Sequence, residues 1–309
     1  MLMVILGAHM SIAGGFHKAV ERAATVDCDC VQMFTAAPQK WPVQASKTNV
    51  QPAGLNAKVN NESRTTDITD DDVVKFHKTL DDLRIAHPLS HASYLINLAS
   101  PDKALWTKSV NGLIVELQRA EKFDIPFVVV HPGSYTTSSE EEGIEQIALA
   151  LNTIHEQTSD IRAQCLLENT AGQGTNLGWR FEHLAAILDG VVQQDRVGIC
   201  FDTCHAFAAG YPLTTSHEFT ATFSELDRLI GIEQIHAIHL NDSKREFGSR
   251  VDRHENLGEG CLGLEPFRHL VNDRRLCDVP MYLETPKGKN PAGDDWDQVN
   301  LATLRALTA

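Results

Sequence analysis

The chain has 309 residues, carries 41 Asp and Glu against 27 Lys and Arg for a formal net charge of −14, and is 42% apolar. That apolar content excludes a disordered chain, and seven Cys in so long a chain, none in a C-x-x-C pair, exclude a disulfide-built scaffold. No run of about 18 apolar residues occurs, so nothing reads as a membrane span.

The first residues, MLMVILGAHMSIAGG, are apolar but have no basic segment, and His9 follows at once. They read as a first strand rather than a signal peptide, in a cytoplasmic protein with reduced, buried thiols. Further β-rich runs fall at 30–34, 86–91, 127–131, 165–168, 197–202, 235–240 and 280–284, with the first at 3–8. Helical patterns lie between most of them. Acids at Asp70–Asp72 open one helix. Val110, Leu113, Ile114 and Leu117 form one apolar face, and Ile144, Ile147, Ala148, Leu151 and Ile154 form another. A further helix over 181–188 ends at Gly190 as its C-cap. Residues 42–69 break this rhythm. They are rich in Asn, Thr, Ser and Gln and read as a polar loop insertion.

Eight strands alternating with helices predict an α/β fold, a single (β/α)8 TIM barrel over 1–309, with a doubly wound sheet as the competing arrangement. Where the runs end favours the barrel. They close on His91, His131, Glu168, Asp202, His239 and Glu284, at intervals of 34 to 45 residues, one βα unit per step. In a barrel those ends converge on one mouth; in an open sheet they would be strung along an edge.

His205, three residues after Asp202, and the pair Asp252/His254 extend the set to five histidines and four carboxylates. Nitrogen and carboxylate donors without thiolate suit zinc, manganese or iron, and nine donors could hold two or three ions. A lone His or Glu at a strand end is commonly structural. Carboxylates gathered at one mouth would repel one another and resist desolvation, and cations relieve both penalties. Four ligand carboxylates with three divalent ions leave the mouth at about +2, so an acidic protein can offer phosphate a cationic pocket. The run from Lys244 to His254, with Lys244, Arg245, Arg250 and Arg253, is locally basic beside two of these donors, which suits contact with phosphate.

The surrounding motifs are specific: His91-Ala-Ser-Tyr-Leu-Ile-Asn-Leu98, His131-Pro-Gly-Ser134, Leu167-Glu-Asn-Thr-Ala-Gly-Gln-Gly174, Phe201-Asp-Thr-Cys-His-Ala-Phe-Ala-Ala-Gly210, His239-Leu-Asn-Asp-Ser-Lys244, Ser249-Arg-Val-Asp-Arg-His254 and Leu283-Glu-Thr285. From Gly7 to about Thr285 the chain closely resembles the endonuclease IV family, zinc-dependent apurinic/apyrimidinic endonucleases of base-excision repair. The resemblance implies three Zn2+ ions, with Mn2+ or Fe2+ as substitutes at some sites. His91, His131 and Glu168 should hold the first. Glu168 should bridge to a second completed by Asp202, His239 and Glu284, and His205, Asp252 and His254 should hold the third. Glu168 and Glu284 then act catalytically as ligands that position a hydroxide for attack on the phosphorus 5′ to an abasic sugar. The products would be a 3′-hydroxyl and a 5′-deoxyribose phosphate. The implied substrate is double-stranded DNA with abasic sites or blocked 3′ ends, met by a monomer. Tyr94 matches the position that stacks at the lesion, and Asn241 and Lys244 should meet phosphates or support the ligands.

One segment departs from the resemblance. A branch of the family has Phe-x-x-Asn-x-Arg-x-Trp after the second strand, with the Arg inserting at the lesion, whereas this chain reads Phe34-Thr-Ala-Ala-Pro-Gln-Lys-Trp41. Gln39 and Lys40 occupy the DNA-facing positions, and Lys40 lacks the planar stacking surface of Arg. Weaker or differently selective handling of DNA is expected. The rival reading is a metal-dependent sugar isomerase or epimerase on the same architecture; the third donor set and the basic run speak against it.

Overall fold

The computed structural model describes residues 4–42 and 68–309. The expected loop at 42–69 therefore lies outside the described residues except at its edges, as does Met3 of the first run.

Eight parallel strands close into a barrel in chain order: β1 (Leu6–His9), β2 (Cys30–Phe34), β3 (Ala86–His91), β4 (Phe127–Val130), β5 (Gln164–Glu168), β6 (Val197–Asp202), β7 (Ile235–His239) and, as the eighth, β10 (Met281–Leu283), which pairs with both β7 and β1. A two-stranded antiparallel ribbon, β8 (Asp242–Ser243) with β9 (His254–Glu255), stands on the mouth between β7 and β10. The helices are α1 (Phe16–Thr25), α2 (Asp70–Leu83), α3 (Lys103–Lys122), α4 (Glu140–Gln157), α5 (Phe181–Asp189), α6 (Thr203–Ala209), α7 (Ser216–Leu229), α8 (Glu265–Val271) and α9 (Trp296–Leu307).

Most strand bounds match the β-rich runs, and the differences have local causes. β4 stops at Val130 rather than at His131, because Pro132 follows; β10 begins after Pro280, which has no N–H to pair. β1 begins at Leu6 and runs on to His9.

The helices start where capping chemistry is found. Thr69 and Asp72 form a reciprocal capping box at α2, Asp102 accepts from Leu105 N at α3, and Ser139 accepts from Glu142 N at α4. Gly190 is the C-cap of α5, but its φ is −81°, a right-handed conformation. Its small size serves a close approach instead: a Cβ there would lie 2.7 Å from the Cβ of Ala148 on α4. Five of the seven cysteines are buried; Cys277 is half-buried and Cys261 exposed, which corrects the expectation for those two.

Alternation along the strands divides the apolar residues into two bodies. One lies between strands and helices and includes Val31, Val128, Leu167, Phe201, Ile238 and Leu283. The other fills the barrel axis: Cys30, Leu89, Val129, Leu166, Cys200, Ala237 and Tyr282. With a side-chain period of two, the inward residue above each axial one is Gln32, His91, His131, Glu168, Asp202, His239 or Glu284. The polar mouth is thus the layer directly above a dry plug.

Gly7 marks the tightest point of closure. A Cβ there would lie 2.0 Å from the carbonyl oxygen of Cys30 on the paired strand β2. Gly7→Ala is expected to cost about 3 kcal/mol or more of stability through forced strand separation. Chemical denaturation checks it; an unchanged midpoint would mean that β1 and β2 separate freely.

Candidate metal centre

Glu168, the last residue of β5, is fully buried and forms the hub of the mouth. Its Oε2 lies 3.1 Å from His131 Nε2 and 3.4 Å from His91 Nε2, and its Oε1 lies 3.0 Å from His239 Nδ1 and 3.2 Å from His205 Nδ1. His239 Nδ1 is also 3.2 Å from Glu284 Oε2 and 3.9 Å from Asp202 Oδ2. On the other side, Asp252 lies 3.2 Å from His205 Nε2 and 3.4 Å from His254 Nε2.

All nine expected donors come together. Among the described residues, His91, His131 and Glu168 form one set with donor atoms within 4.8 Å of one another. Glu168, Asp202, His239 and Glu284 form a second, and His205, Asp252 and His254 a third, by the same measure. Cys204 forms a further, overlapping set with Asp202 and His254, but burial pushes its thiol up to about 12, so it stays protonated near neutrality.

Several imidazoles are aimed by a bond at the far ring nitrogen. His91 Nδ1 donates to Ala92 O at 2.8 Å, His254 Nδ1 to Glu284 O at 3.2 Å, and His239 Nε2 to Gln32 Oε1 at 2.7 Å. This leaves the opposite nitrogen toward the carboxylates, the orientation a ligating imidazole requires. Two inward nitrogens of the third set, His205 Nε2 and His254 Nε2, are buried and make no well-directed hydrogen bond, although Asp252 stands close to both. Buried nitrogens left in this way among clustered carboxylates fit a set of cation donors.

Asp202 does three tasks at one strand end. Its Oδ1 caps α6 by accepting from His205 N at 2.7 Å, its Oδ2 accepts from Asn241 Nδ2 at 2.6 Å, and Asn169 brackets its backbone. The cap places His205 one turn into the mouth, which is why D-x-x-H delivers two donors to neighbouring sets.

The electrostatics are those of a charged cluster held by compensation. Burial would raise the Glu168 and Glu284 carboxyls, but His239 and the other neighbouring imidazoles hold both well below the usual range. Burial acts on Asp252 in the same sense, and His205 again lowers it. Burial would lower His91, His205 and His239; Glu168 and Glu284 around His91, Asp202 and Asp252 around His205, and Cys200, Glu284 and Glu168 around His239 raise all three.

The expected DNA-facing residues divide. Tyr94 is 61% exposed, beside His91 and His131, with ring centroids 5.6 and 6.4 Å away. Gln39 and Lys40 are exposed on the loop after β2, whose carbonyls at Pro38 and Lys40 accept from the Ser93 hydroxyl, adjacent to Tyr94. Lys244 and Arg253 are exposed, Lys244 lying 3.5 Å from Glu255. Arg250 stacks 3.9 Å over the Trp179 ring and donates to Gly172 O, so part of its guanidinium is already engaged. Of the two expectations for Asn241, phosphate contact or support of the donors, the structure shows the second. The residue is 0% exposed, its amide donates to Asp202 and its carbonyl accepts from Glu284 N at 2.8 Å, so it ties two donor-bearing strand ends together.

Sequence reasoning missed Gln32 as a site residue and left His9 outside the donor set. Gln32 Nε2 donates to Glu284 Oε1 at 2.5 Å and to His9 Nδ1 at 2.9 Å. The available signal was parity: Gln32 stands two residues beyond Cys30, as each strand-end donor stands two beyond an axial residue. It was obscured because Gln is not a metal-ligand type.

Residues 20–306 match the family model described as xylose isomerase-like TIM barrel. The chain is 43% identical over 305 residues to a protein of Geobacter sp. (strain M21) named "Probable endonuclease 4", covering 99% of both chains. It is 44% identical over 302 residues to another of that name from Trichlorobacter lovleyi, covering 98% of this chain and 99% of the relative. The chain belongs to the endonuclease IV family. Among solved structures, endonuclease IV from Thermus thermophilus superposes with a TM-score of 0.78 at 33% identity, covering 98% of each chain.

The raised imidazoles set a pH dependence for the metal-free protein. Their charge-pair stabilisation is in place below the ordinary imidazole value and is lost as pH rises through the raised ones. The depressed carboxylates lose theirs only as pH falls through their lowered values. At pH 7 the raised imidazoles favour their protonated forms in the metal-free protein, so a divalent ion such as Zn2+ bound there would displace protons. Titration calorimetry in two buffers of different ionisation enthalpy should show release of more than one proton per molecule, with apparent affinity rising with pH. Zero release would mean neutral imidazoles.

Proposed function

We propose that the chain is a zinc-dependent DNA-repair hydrolase that cuts the phosphodiester on the 5′ side of an abasic site, leaving a 3′-hydroxyl and a 5′-deoxyribose phosphate, and that trims blocked 3′ ends. The observation that carries this reading is two donor sets that share Glu168 and a third that adjoins them through His205 in one mouth, with an exposed aromatic ring at their edge. His91, His131 and Glu168 would hold one ion, Glu168, Asp202, His239 and Glu284 a second, and His205, Asp252 and His254 a third. Divalent ions there supply Lewis acidity that offsets phosphodiester charge and makes water a competent nucleophile near neutral pH.

The chain's own residues do the rest. Glu168 and Glu284 keep their carboxylates ionised at the floor of the mouth. Tyr94 offers a ring face to a base or to the gap a missing base leaves. Beside it opens a cleft of about 210 Å3 lined by His131, Asn97, Ser134, Thr170 and Asn176, polar groups suited to a sugar–phosphate backbone. Lys244 and Arg253 supply positive charge on the opposite rim. An acidic chain can then approach DNA, because its cations are concentrated where the backbone would pass.

Two outcomes test the reading. A duplex carrying one tetrahydrofuran abasic analogue cannot undergo β-elimination, so a cut on its 5′ side leaving an extendable 3′ end must be hydrolytic. We expect that cut, and its loss after chelation with recovery on adding Zn2+; activity on a free keto-sugar with none on this duplex would favour the isomerase reading instead. Tyr94→Ala should weaken abasic-duplex affinity about tenfold, in line with 1–3 kcal/mol per stacked base. Gln39→Arg should strengthen it, measured by fluorescence anisotropy. No change in either would remove this rim from lesion recognition.

A further inference from the structure

We infer that Gln32 and His9 form a positioning relay that sets the ring tautomer of His239 and the carboxylate orientation of Glu284, and so keeps the set Glu168, Asp202, His239 and Glu284 competent to hold its ion. The inference rests on the metal-site reading above.

Gln32 is 0% exposed and reaches three side chains. Its amide oxygen can only accept, so the 2.7 Å contact with His239 Nε2 requires the imidazole hydrogen on Nε2. In the neutral ring that an ion requires, Nδ1 is then the nitrogen that carries the lone pair, and it is the one that faces Glu168 Oε1 at 3.0 Å and Glu284 Oε2 at 3.2 Å. The Gln32 amide nitrogen has two hydrogens and uses both, on Glu284 Oε1 at 2.5 Å and on His9 Nδ1 at 2.9 Å. With one oxygen of Glu284 held by Gln32, the other is left toward His239.

Only one orientation of the amide satisfies all three contacts. Turned over, it would set its carbonyl against the Glu284 carboxylate and its N–H hydrogens against the His239 Nε2–H. His9 makes the correct orientation the stable one by accepting the second amide hydrogen. Its ring is fixed in turn against Phe34, 4.5 Å away. A glutamate at position 32 would add a negative charge beside Glu284, and an aliphatic residue would leave His239 Nε2–H buried without a partner. A neutral amide that accepts on one side and donates twice on the other meets the geometry. Losing a bond of this kind to a ligating group typically costs about 10–100-fold in metal affinity.

The test uses full-length protein loaded with Zn2+ and a chromophoric chelator that reports ion release. Gln32→Met keeps the volume and removes all three contacts. His9→Phe keeps the ring packing and removes only the acceptor for the amide. In the wild type we expect slow release of every ion. In Gln32→Met one ion should leave at least tenfold faster with the others unchanged, and in His9→Phe the same ion should leave faster by a smaller factor. A merely structural role for Gln32 would lower the melting temperatures of metal-free and metal-loaded protein equally; the relay predicts that the metal-induced rise shrinks. Wild-type release rates in both variants, or an equal fall in both melting temperatures, would overturn the inference while leaving the metal site standing. A wild type that takes up no Zn2+ would overturn the metal site and the relay together. If Gln32→Met does not fold, His9→Phe decides: unchanged release from it overturns the relay.

Discussion

Glu168 is a carboxylate with no access to water and four imidazoles within 3.4 Å of it. Removing such a charge from water costs several kcal/mol unless opposite charge replaces the lost hydration. Here the replacement is protons on imidazole in the metal-free protein and cations in the proposed working form. The rest of the mouth follows from that requirement. Three further carboxylates approach the hub, and each is offset: Glu284 by His239 and the Gln32 amide, Asp202 by the α6 N-terminus and Asn241, and Asp252 by His205 and His254. The cluster is stable as a collective and would not be as any pair taken from it.

The barrel makes this gathering possible at little conformational cost. Each donor but those in β8–β9 and α6 is the inward residue at a strand's end, standing on an apolar residue two positions earlier. Axial side chains such as Leu166, Val129 and Tyr282 are buried and give the polar layer an apolar floor. The polar layer is rigid because the strands beneath it are hydrogen-bonded on both sides, and Asn241 and Asn169 lash neighbouring strand ends together. In the proposed reading, recognition falls to different material. Tyr94, Gln39, Lys40, Lys244 and Arg253 sit on loops and are exposed, free to adapt to a partner while the donors below stay fixed.

The identity of a donor and its aim are separate matters. Which residues carry nitrogen and oxygen is a property of the chain, but the ring nitrogen that faces inward is chosen by a contact on the far side: a backbone carbonyl for His91 and His254, and a side-chain amide for His239. Asn241 and Gln32 belong to this supporting role. The neighbouring Asp242 does the same for the loop that follows, accepting from Gly258, Gly260 and Leu262 backbone N–H groups.

Periodicity and spacing in the amino-acid sequence determined the barrel, its order of strands and the nine donor residues, because one βα unit recurs between successive polar strand ends and a barrel has one mouth to send them to. The acids Asp70–Asp72 announced α2 in the chain itself, while the caps at Thr69 and Asp102 came from the structure. Tertiary structure alone decided the remainder. That Asn241 is buried between Asp202 and Glu284 depends on β6, β7 and β10 being neighbours, and nothing in His239-Leu-Asn241 distinguishes a phosphate contact from an internal brace. That Gln32 is part of the centre depends on β2 lying three strands round the closed barrel from β7, with His239 207 residues away in the chain. Gly190 is the C-cap the chain suggested, but its right-handed conformation and the space it leaves for Ala148 were set by packing. In each case the deciding quantity is a distance between segments far apart in sequence, and closure of the barrel is what sets those distances.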